Sequence, residues 1–266
     1  FELKGGTSLS KGFDIIQRFS EDIDIRIEPP AELDVKTGRN QQKPQHCDSR
    51  KNFYDWLAAN ITINGIHTVE RDTDFDDTEY YRSGGVRLRY HPISESIEGL
   101  KDGILLEVGF DDVTPSIQKN ISSWAYTRAA ETVDVIDNRA LDVACYHPGY
   151  TFVEKLQTIS TKFRLQQASG TFPVNFLRHY YDVYCLLKND DVRSFIGTDK
   201  YHAHKERRFR TGDNLVIAEN DAFFLSDPKT KELYRSTFET TKTLYYQSQP
   251  DFDEILADIQ KAVNSL

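Results

Sequence analysis

Two aspartates, Asp22 and Asp24, stand one residue apart in a segment that alternates between polar and apolar residues. Side chains of a β-strand project alternately to its two faces, so both carboxylates are expected on the same face. Neighbouring carboxylates repel each other unless a cation lies between them. Magnesium prefers such oxygen ligands and bridges them to substrate phosphates. The pair is therefore interpreted as a metal site, with a solvated strand face as the alternative.

Small residues immediately precede a helical pattern upstream of the aspartates. They are Gly5, Gly6, Thr7 and Ser8. Glycines allow the backbone to approach a ligand closely, and the N-terminus of a helix favours a phosphate group. Apolar residues then recur at helical spacing and predict a helix over residues 8–19. The turn alone is weak evidence, but a phosphate-type turn and a carboxylate pair separated by one helix favour a nucleotide-binding function.

Glu107 is the candidate for a third metal-binding carboxylate. It lies within the apolar run Leu105–Phe110, where an isolated charge would be costly. If this strand neighbours the strand of Asp22 and Asp24, the three acids could form one site. An edge-strand glutamate in water is the alternative.

The elements that must position these acids form an α/β (α+β) pattern. Strands are predicted at the N-terminus and over 20–27, 61–69, 86–91 and 103–110, the last two as an antiparallel pair joined by a polar loop. Helices are predicted over 49–60, 151–164, 173–188 and 252–263. This pattern predicts a mixed domain over residues 1–135 and a helical domain over residues 136–266.

Composition narrows the class of protein. The 266 residues carry a net charge of −9, which argues against non-specific coating of nucleic acid. No apolar run is long enough to span a membrane and no secretory segment is recognisable, so we expect a cytoplasmic protein. Three widely spaced cysteines predict neither disulfides nor a zinc site.

Methionine is absent from the sequence, which also opens within a strand-like segment. We expect that the natural N-terminus precedes Phe1 and that modified methionines are missing, which would shift spacings wherever one was lost.

Basic residues concentrate in the segment 200–210, which also contains the aromatic residues Tyr201 and Phe209. The basic residues are Lys200, Lys205, Arg207, Arg208 and Arg210. Such a segment can hold RNA phosphates while its rings stack on bases, and a solvated surface is the equal alternative. Arg87 and Arg89 share one strand face. They could contact nucleotide or acceptor phosphate, or pair with acids across the sheet.

The opening segment resembles the AbiEii/AbiGii-type nucleotidyltransferase toxins, within the DNA polymerase beta-like nucleotidyltransferase superfamily. The family's first motif has a Gly-Gly/Ser turn and then an Arg-x-Ser-x-Asp-x-Asp run. This chain matches it with Gly5, Gly6, Thr7, Ser8, Arg18, Ser20, Asp22 and Asp24. A later Glu-Lys-Leu motif is matched at 154–156. Arg178 and Asp182 match a following helix motif, in which His179 replaces the family's first aspartate.

The resemblance implies a polymerase beta-like nucleotidyltransferase domain with a small mixed sheet, followed by a helical domain. It also implies a magnesium–nucleoside triphosphate site and transfer of a nucleoside monophosphate, with the 3′ end of transfer RNA as the favoured acceptor. Asp22, Asp24 and Glu107 would hold the metal. The glycine turn, Arg18 and Ser20 would bind nucleotide, Lys155 would contact the triphosphate, and Asp182 would act as a support or a base.

A bacterial toxin–antitoxin or phage-defence system is the implied setting, with a cognate antitoxin as a possible partner. Two other functions remain open: a non-catalytic nucleotide-binding regulator of the same fold, and a transferase that acts on protein or a small molecule.

Overall fold

The computed structural model describes residues 1–20, 22–92, 103–173 and 175–266. It divides the chain into two compact units. The first comprises residues 1–13 and 20–146, and the second comprises residues 14–19 and 147–266. In the described part of the chain, no helix combines the length and the hydrophobicity that crossing a bilayer requires.

The first unit contains a mixed seven-stranded sheet with the strand order β3-β4-β5-β2-β1-β7-β6. Its strands are β1 (Glu2–Lys4), β2 (Asp22–Arg26), β3 (Thr68–Asp72), β4 (Ser83–Arg89), β5 (Ile104–Gly109), β6 (Ser116–Ile121) and β7 (Ala140–Tyr146). The central pairs β2–β5 and β1–β7 are parallel, and the other neighbouring pairs are antiparallel. The predicted antiparallel pairing of β4 with β5 is confirmed. Most of the polar loop predicted between them, residues 93–102, lies outside the described residues.

Three helices accompany the sheet: α1 (Gly5–Thr7), α2 (Pro44–Asn60) and α3 (Trp124–Ala129). Short 3-10 helices cover Ala31–Leu33 and Thr73–Phe75. Helix α2 begins earlier than the predicted start at Ser49, with Pro44 in its first turn, where the absent N–H costs nothing. Phe53, Tyr54 and Leu57 of this helix are buried in one core with Val86 and other residues of the sheet.

The helix predicted over residues 8–19 is wrong at both ends. Helix α1 begins at Gly5 and continues as a π-helix over Ser8–Gly12. Asp14 then adopts a left-handed backbone conformation with φ of 52°, which ends the helix. The remaining residues of the predicted helix, 14–19, belong to the second unit.

The second unit is helical. Its helices are α4 (Pro148–Ser169), α5 (Arg178–Leu186), α6 (Asp190–Phe195), α7 (Asp199–Arg208), α8 (Pro228–Glu239) and α9 (Phe252–Ala262). Short 3-10 helices cover Ile217–Glu219, Asp221–Phe223, Lys242–Leu244 and Val263–Ser265. Phe152, Leu156 and Ile159 form the buried stripe of α4, as their spacing predicts. The predicted start of the next helix at Pro173 is wrong, because α5 begins only at Arg178, after Asn175 with φ of 54°.

The structure divides the chain after Tyr146, later than the predicted end of the first domain at residue 135. Strand β7 accounts for the difference, because it pairs with β1 and β6 and so belongs to the sheet. All three cysteines are free thiols.

Candidate active site

The acid face of the first unit consists of Asp22, Asp24 and Glu107. Strand β2 runs parallel to β5, with Asp24 aligned with Glu107 and Asp22 aligned with Leu105. Aligned residues of neighbouring strands project to the same side of a sheet, and residues two apart on one strand do so as well. The three carboxylates therefore share one face. The conditional expectation that the two strands are neighbours is confirmed.

The metal-binding role of the acid face remains a prediction. Among the described residues, no three side chains of the His, Cys, Asp or Glu types lie close enough together to hold a metal ion. The oxygen donors themselves fit magnesium, which binds through one or two carboxylates and leaves its other positions to water and phosphate. The acid face thus offers suitable donors in an arrangement that is not closed around an ion.

Gly5 lies against the carboxylate of Asp24. A Cβ atom added at Gly5 would fall 2.0 Å from Oδ2 of Asp24, far inside van der Waals contact. The φ angle of Gly5 is +65°, a conformation that other residues adopt only with strain. Lys4, which precedes the helix, provides no side-chain cap for its first turn. The missing side chain therefore creates a space where the start of a helix meets an acid.

The hydroxyl groups near the glycines serve the first unit's own backbone and core. Thr7 Oγ1 donates to the carbonyl oxygen of Asp22 at 2.7 Å, and Ser20 Oγ donates to the same oxygen at 3.2 Å. Ser8 is fully buried beside Cys145, whose thiol pKa is raised by burial. Thr7 and Ser20 thus position the start of β2. The phosphate contacts of Thr7 and Ser8 remain predictions.

Arg18 and Asp182 form a buried ion pair within the second unit. Arg18 Nε donates to Oδ1 of Asp182 at 2.8 Å and Nη2 donates to Oδ2 at 2.7 Å, while Nη1 donates to the carbonyl of Phe19. The side chain of Arg18 is 2 % exposed and that of Asp182 is fully buried. The sequence predicted a nucleotide contact for Arg18, but its guanidinium is enclosed and committed to these partners.

Lys155 is a second cation beside Asp182. Its Nζ lies 3.0 Å from Oδ2 of Asp182 and 3.4 Å from Nδ1 of His179. Burial alone would raise the pKa of Asp182, but the charges of Arg18 and Lys155 hold it below its ordinary value. Such a carboxylate is a weak proton acceptor at neutral pH. Of the two roles that the sequence left open, these contacts favour support over general base.

His179 stands where the family often has an aspartate. Burial, followed by the charge of Lys155, holds its pKa well below the ordinary value, so the imidazole is neutral. A neutral ring can lie beside an ammonium group without repelling it.

Both arginines of β4 pair with acids across the sheet. Arg87 Nε donates to Oδ2 of Asp72 at 2.9 Å, and Arg89 Nε donates to Oε1 of Glu70 at 2.6 Å. Of the two alternatives from the sequence, contact with phosphate or pairing with acids across the sheet, the structure shows the pairing with acids.

The basic segment 200–210 lies mostly on α7 and does not form one continuous basic surface. Lys205 is buried, and its Nζ donates to the carbonyl oxygen of Leu266 at 2.9 Å. Arg208 lies 3.4 Å from Glu154. The exposed cations of the segment are Lys200, Arg207 and Arg210.

Comparison with known proteins gives one match. The family model described as "Nucleotidyl transferase AbiEii toxin, Type IV TA system" matches residues 1–258. The match extends well beyond Asp182, the last residue of the motif resemblance. None of the curated proteins and none of the solved structures compared with the chain matches it. A match over nearly the whole sequence shows that the chain belongs to the AbiEii nucleotidyl transferase toxin family of type IV toxin–antitoxin systems.

Proposed function

We propose that the chain transfers a nucleoside monophosphate from a magnesium-bound nucleoside triphosphate to an acceptor hydroxyl, with the 3′ end of transfer RNA as the acceptor. Family membership supports the reaction class. The observation that carries the proposal is the alignment of Asp24 with Glu107 across β2 and β5, because it gathers three carboxylates on one sheet face.

The acid face would hold magnesium through oxygen ligands of the type that this ion prefers. When bound, the ion neutralises phosphate charge and makes the acceptor hydroxyl more acidic. Gly5 and Gly6 leave room for the phosphates beside Asp24. Thr7 and Ser20 act indirectly by holding the carbonyl of Asp22, and Lys155 contributes positive charge toward the triphosphate.

In the reaction, the acceptor oxygen attacks the α-phosphorus and forms a new P–O bond. The bond from the α-phosphorus to the bridging oxygen of the β-phosphate breaks, and pyrophosphate leaves with the electron pair. Asp182 is buried and its pKa is lowered, so it is a poor proton acceptor. The hydroxyl proton therefore passes to a carboxylate of the acid face. Positioning and electrostatic stabilisation supply most of the rate acceleration in phosphoryl transfer.

RNA recognition would use the exposed cations Lys200, Arg207 and Arg210 rather than the whole basic segment. The enzyme would act in the cytoplasm, where nucleotides and transfer RNA are present, as the toxin of a phage-defence system. A cognate antitoxin would counteract it, as in other type IV systems.

The proposal is tested by incubating the protein with each α-labelled nucleoside triphosphate, magnesium and total cellular RNA. We expect label in small RNA, and none with Asp22→Ala/Asp24→Ala. Glu70→Ala is the matched control, because it removes an acid from the same sheet at an edge strand and should leave labelling intact.

The other outcomes identify the alternatives. Label in protein or in a small molecule would show that this molecule, and not RNA, is the acceptor. Triphosphate binding without any transferred label would contradict the enzymatic proposal and support a non-catalytic regulator.

A further inference from the structure

A small cavity in the first unit is lined by two arginines. It has a volume of about 290 Å³, and its described lining residues are Thr37, Arg39, Gln42, Arg82, Phe110 and Asp111. None of these six residues belongs to the acid face or to the basic segment. Asp111 is the one acid among them, and its Oδ1 lies 3.7 Å from Nη2 of Arg39. The cavity is therefore a candidate ligand site that the proposed reaction does not use.

A buried guanidinium lies behind the loop that forms part of this cavity. Arg50 on α2 is fully buried and donates to three carbonyl oxygens, those of Lys36, Gln41 and Tyr80. It also contacts the sulfur of Cys47 at 3.3 Å. Within the described part of the chain, none of its contacts is with a carboxylate. Buried charges are ordinarily paired with opposite charges because desolvation is costly, so Arg50 brings positive charge that its contacts do not neutralise.

Arg82 holds the same loop from the cavity. Its Nη1 donates to the carbonyl oxygens of Thr37 and Gly38 at 3.1 and 3.0 Å, and its Nη2 donates to that of Arg39 at 2.6 Å. Two guanidinium groups thus bind the carbonyl oxygens of residues 36–41. Burial lowers the pKa of Arg82, and the charge of Arg50 lowers it further. The two cations therefore repel each other at this loop.

The acids near the cavity leave this positive charge incompletely balanced. The carboxylate of Asp77 accepts three backbone N–H groups of the residues that follow it. Asp111 lies too far from Arg39 for a hydrogen bond, and the side chain of Arg39 is 62 % exposed. The remaining charges at the loop, Lys36 and Asp34, pair with each other. The guanidinium of Arg39 is therefore accessible to a ligand at a place where cations exceed acids.

We propose that this cavity binds a phosphoryl group, with Arg39 and Arg82 as its direct contacts and Arg50 as the buried charge behind them. Arginine binds phosphate oxygens through paired N–H donors, and such charge-assisted hydrogen bonds are stronger than neutral ones. A tetrahedral phosphate presents oxygens in several directions, which suits two arginines better than a planar carboxylate does. The phosphoryl group can come from a free phosphorylated molecule or from the backbone of an RNA strand. This inference goes beyond the proposed reaction and does not depend on it.

Calorimetric titration without divalent metal tests the proposal with two probes, inorganic phosphate and a single-stranded RNA oligonucleotide. Without metal, the carboxylates of the acid face repel both probes. We expect Arg39→Gln to weaken binding of at least one probe by about tenfold or more, and Arg39→Lys to retain part of the affinity. Arg128→Gln is the matched control, because it removes an exposed arginine of α3 in the same unit. It should bind both probes as the wild type does.

Asp111→Asn provides a test of opposite sign. It removes negative charge from the lining and should strengthen phosphate binding, whereas Arg39→Gln weakens it. Thermal unfolding separates binding from a structural role. A bound anion should raise the Tm of the wild type. Because Arg39 is exposed, Arg39→Gln should unfold at the wild-type Tm without ligand and should show a smaller rise with it.

The two probes also identify the source of the phosphoryl group. Binding of inorganic phosphate that depends on Arg39 would identify a free phosphorylated ligand, and binding of RNA alone that depends on Arg39 would identify the strand backbone. If neither affinity depends on Arg39, or if Arg128→Gln weakens binding to the same extent, the proposal is wrong. Such a result would leave nucleotide transfer at the acid face unaffected, since that reaction is measured separately by label.

Discussion

Arg18 reaches Asp182 across 164 residues of sequence and meets its carboxylate through two hydrogen bonds. This pair attaches the segment 14–19 to α5 within the second unit. The segment is also held by Tyr246, which donates to the carbonyl of Ile16 at 3.1 Å, and by the N–H of Phe19, which donates to the carbonyl of Leu244 at 2.8 Å. The arginine of the family's first motif is therefore part of the core of the helical unit.

Replacement of Asp182 by asparagine should strongly destabilise the protein. The substitution leaves Arg18 buried without a counter-charge and Lys155 without its acid partner. Breaking a buried ion pair from one side typically costs about 3–5 kcal/mol in the free energy of unfolding. Urea unfolding measures this loss. The exposed acid Asp190, which pairs with Arg193 at the surface, provides the control: Asp190→Asn should unfold near the wild-type midpoint.

The same pair predicts an acid limit to stability. The pKa of Asp182 is lower in the folded protein than in the unfolded chain, so its stabilisation is fully present above the unfolded value of about 3.9. This contribution is lost as pH falls below that value toward the lower folded pKa. The difference in unfolding free energy between wild type and Asp182→Asn should therefore shrink between about pH 4 and pH 2. Other carboxyls with lowered pKa, such as Asp253, act equally in both proteins. A difference that does not change with pH would contradict this prediction.

Local patterns predicted the acid face well. The period of two in residues 22–26 placed Asp22 and Asp24 on one side, and the apolar setting of Glu107 indicated a strand. Both predictions depend on side-chain alternation within a few residues, which the sequence contains directly. The alignment of Asp24 with Glu107 then follows from strand pairing, which the sequence could suggest only conditionally.

The errors arose where a distant partner or a single backbone angle decides the structure. The end of the first helix depends on the left-handed conformation of Asp14, which apolar periodicity does not register. The burial of Arg18 depends on Asp182, far away in sequence, and that of Lys205 depends on the carbonyl of Leu266. An arginine or lysine within a polar segment therefore reads as exposed when only its neighbours in sequence are considered.

Gly5→Ala should disrupt the acid face. The added Cβ would fall 2.0 Å from Oδ2 of Asp24 and would also strain a backbone with positive φ. Gly65→Ala is a matched control, because Gly65 has φ of +87° but no atoms within 4 Å of an added Cβ. The control should lose about 1–2 kcal/mol of stability from backbone strain, whereas Gly5→Ala should lose more and should also lose nucleotide transfer. Equal effects of the two substitutions on stability and activity would show that the contact with Asp24 is unimportant.

Conservative replacement of either aligned acid should weaken metal binding while keeping the fold. Asp24→Asn and Glu107→Gln keep the size of each side chain but remove its charge. If the acid face holds the ion, each variant should slow nucleotide transfer by roughly a thousandfold, or about 4 kcal/mol in the activation barrier. Manganese binding followed by electron paramagnetic resonance should weaken in parallel. Glu70→Gln, on the edge strand β3, is the control and should bind manganese as the wild type does.

The basic segment should separate into residues that bind RNA and one that supports the fold. Lys200 and Arg210 are exposed, so Lys200→Gln/Arg210→Gln should weaken RNA binding and reduce its dependence on salt by about two released counterions. Lys205→Gln should instead lower Tm, because the buried Nζ no longer donates to the carbonyl of Leu266, and should leave the salt dependence of RNA binding unchanged. Filter binding over a series of salt concentrations and thermal unfolding measure the two effects. If Lys205→Gln changed the salt dependence as strongly as the double variant did, the buried position of Lys205 would not describe the RNA-bound protein. A different result is that neither variant alters RNA binding and that label enters a small molecule. The acceptor would then be that small molecule, and the basic segment would not contact it.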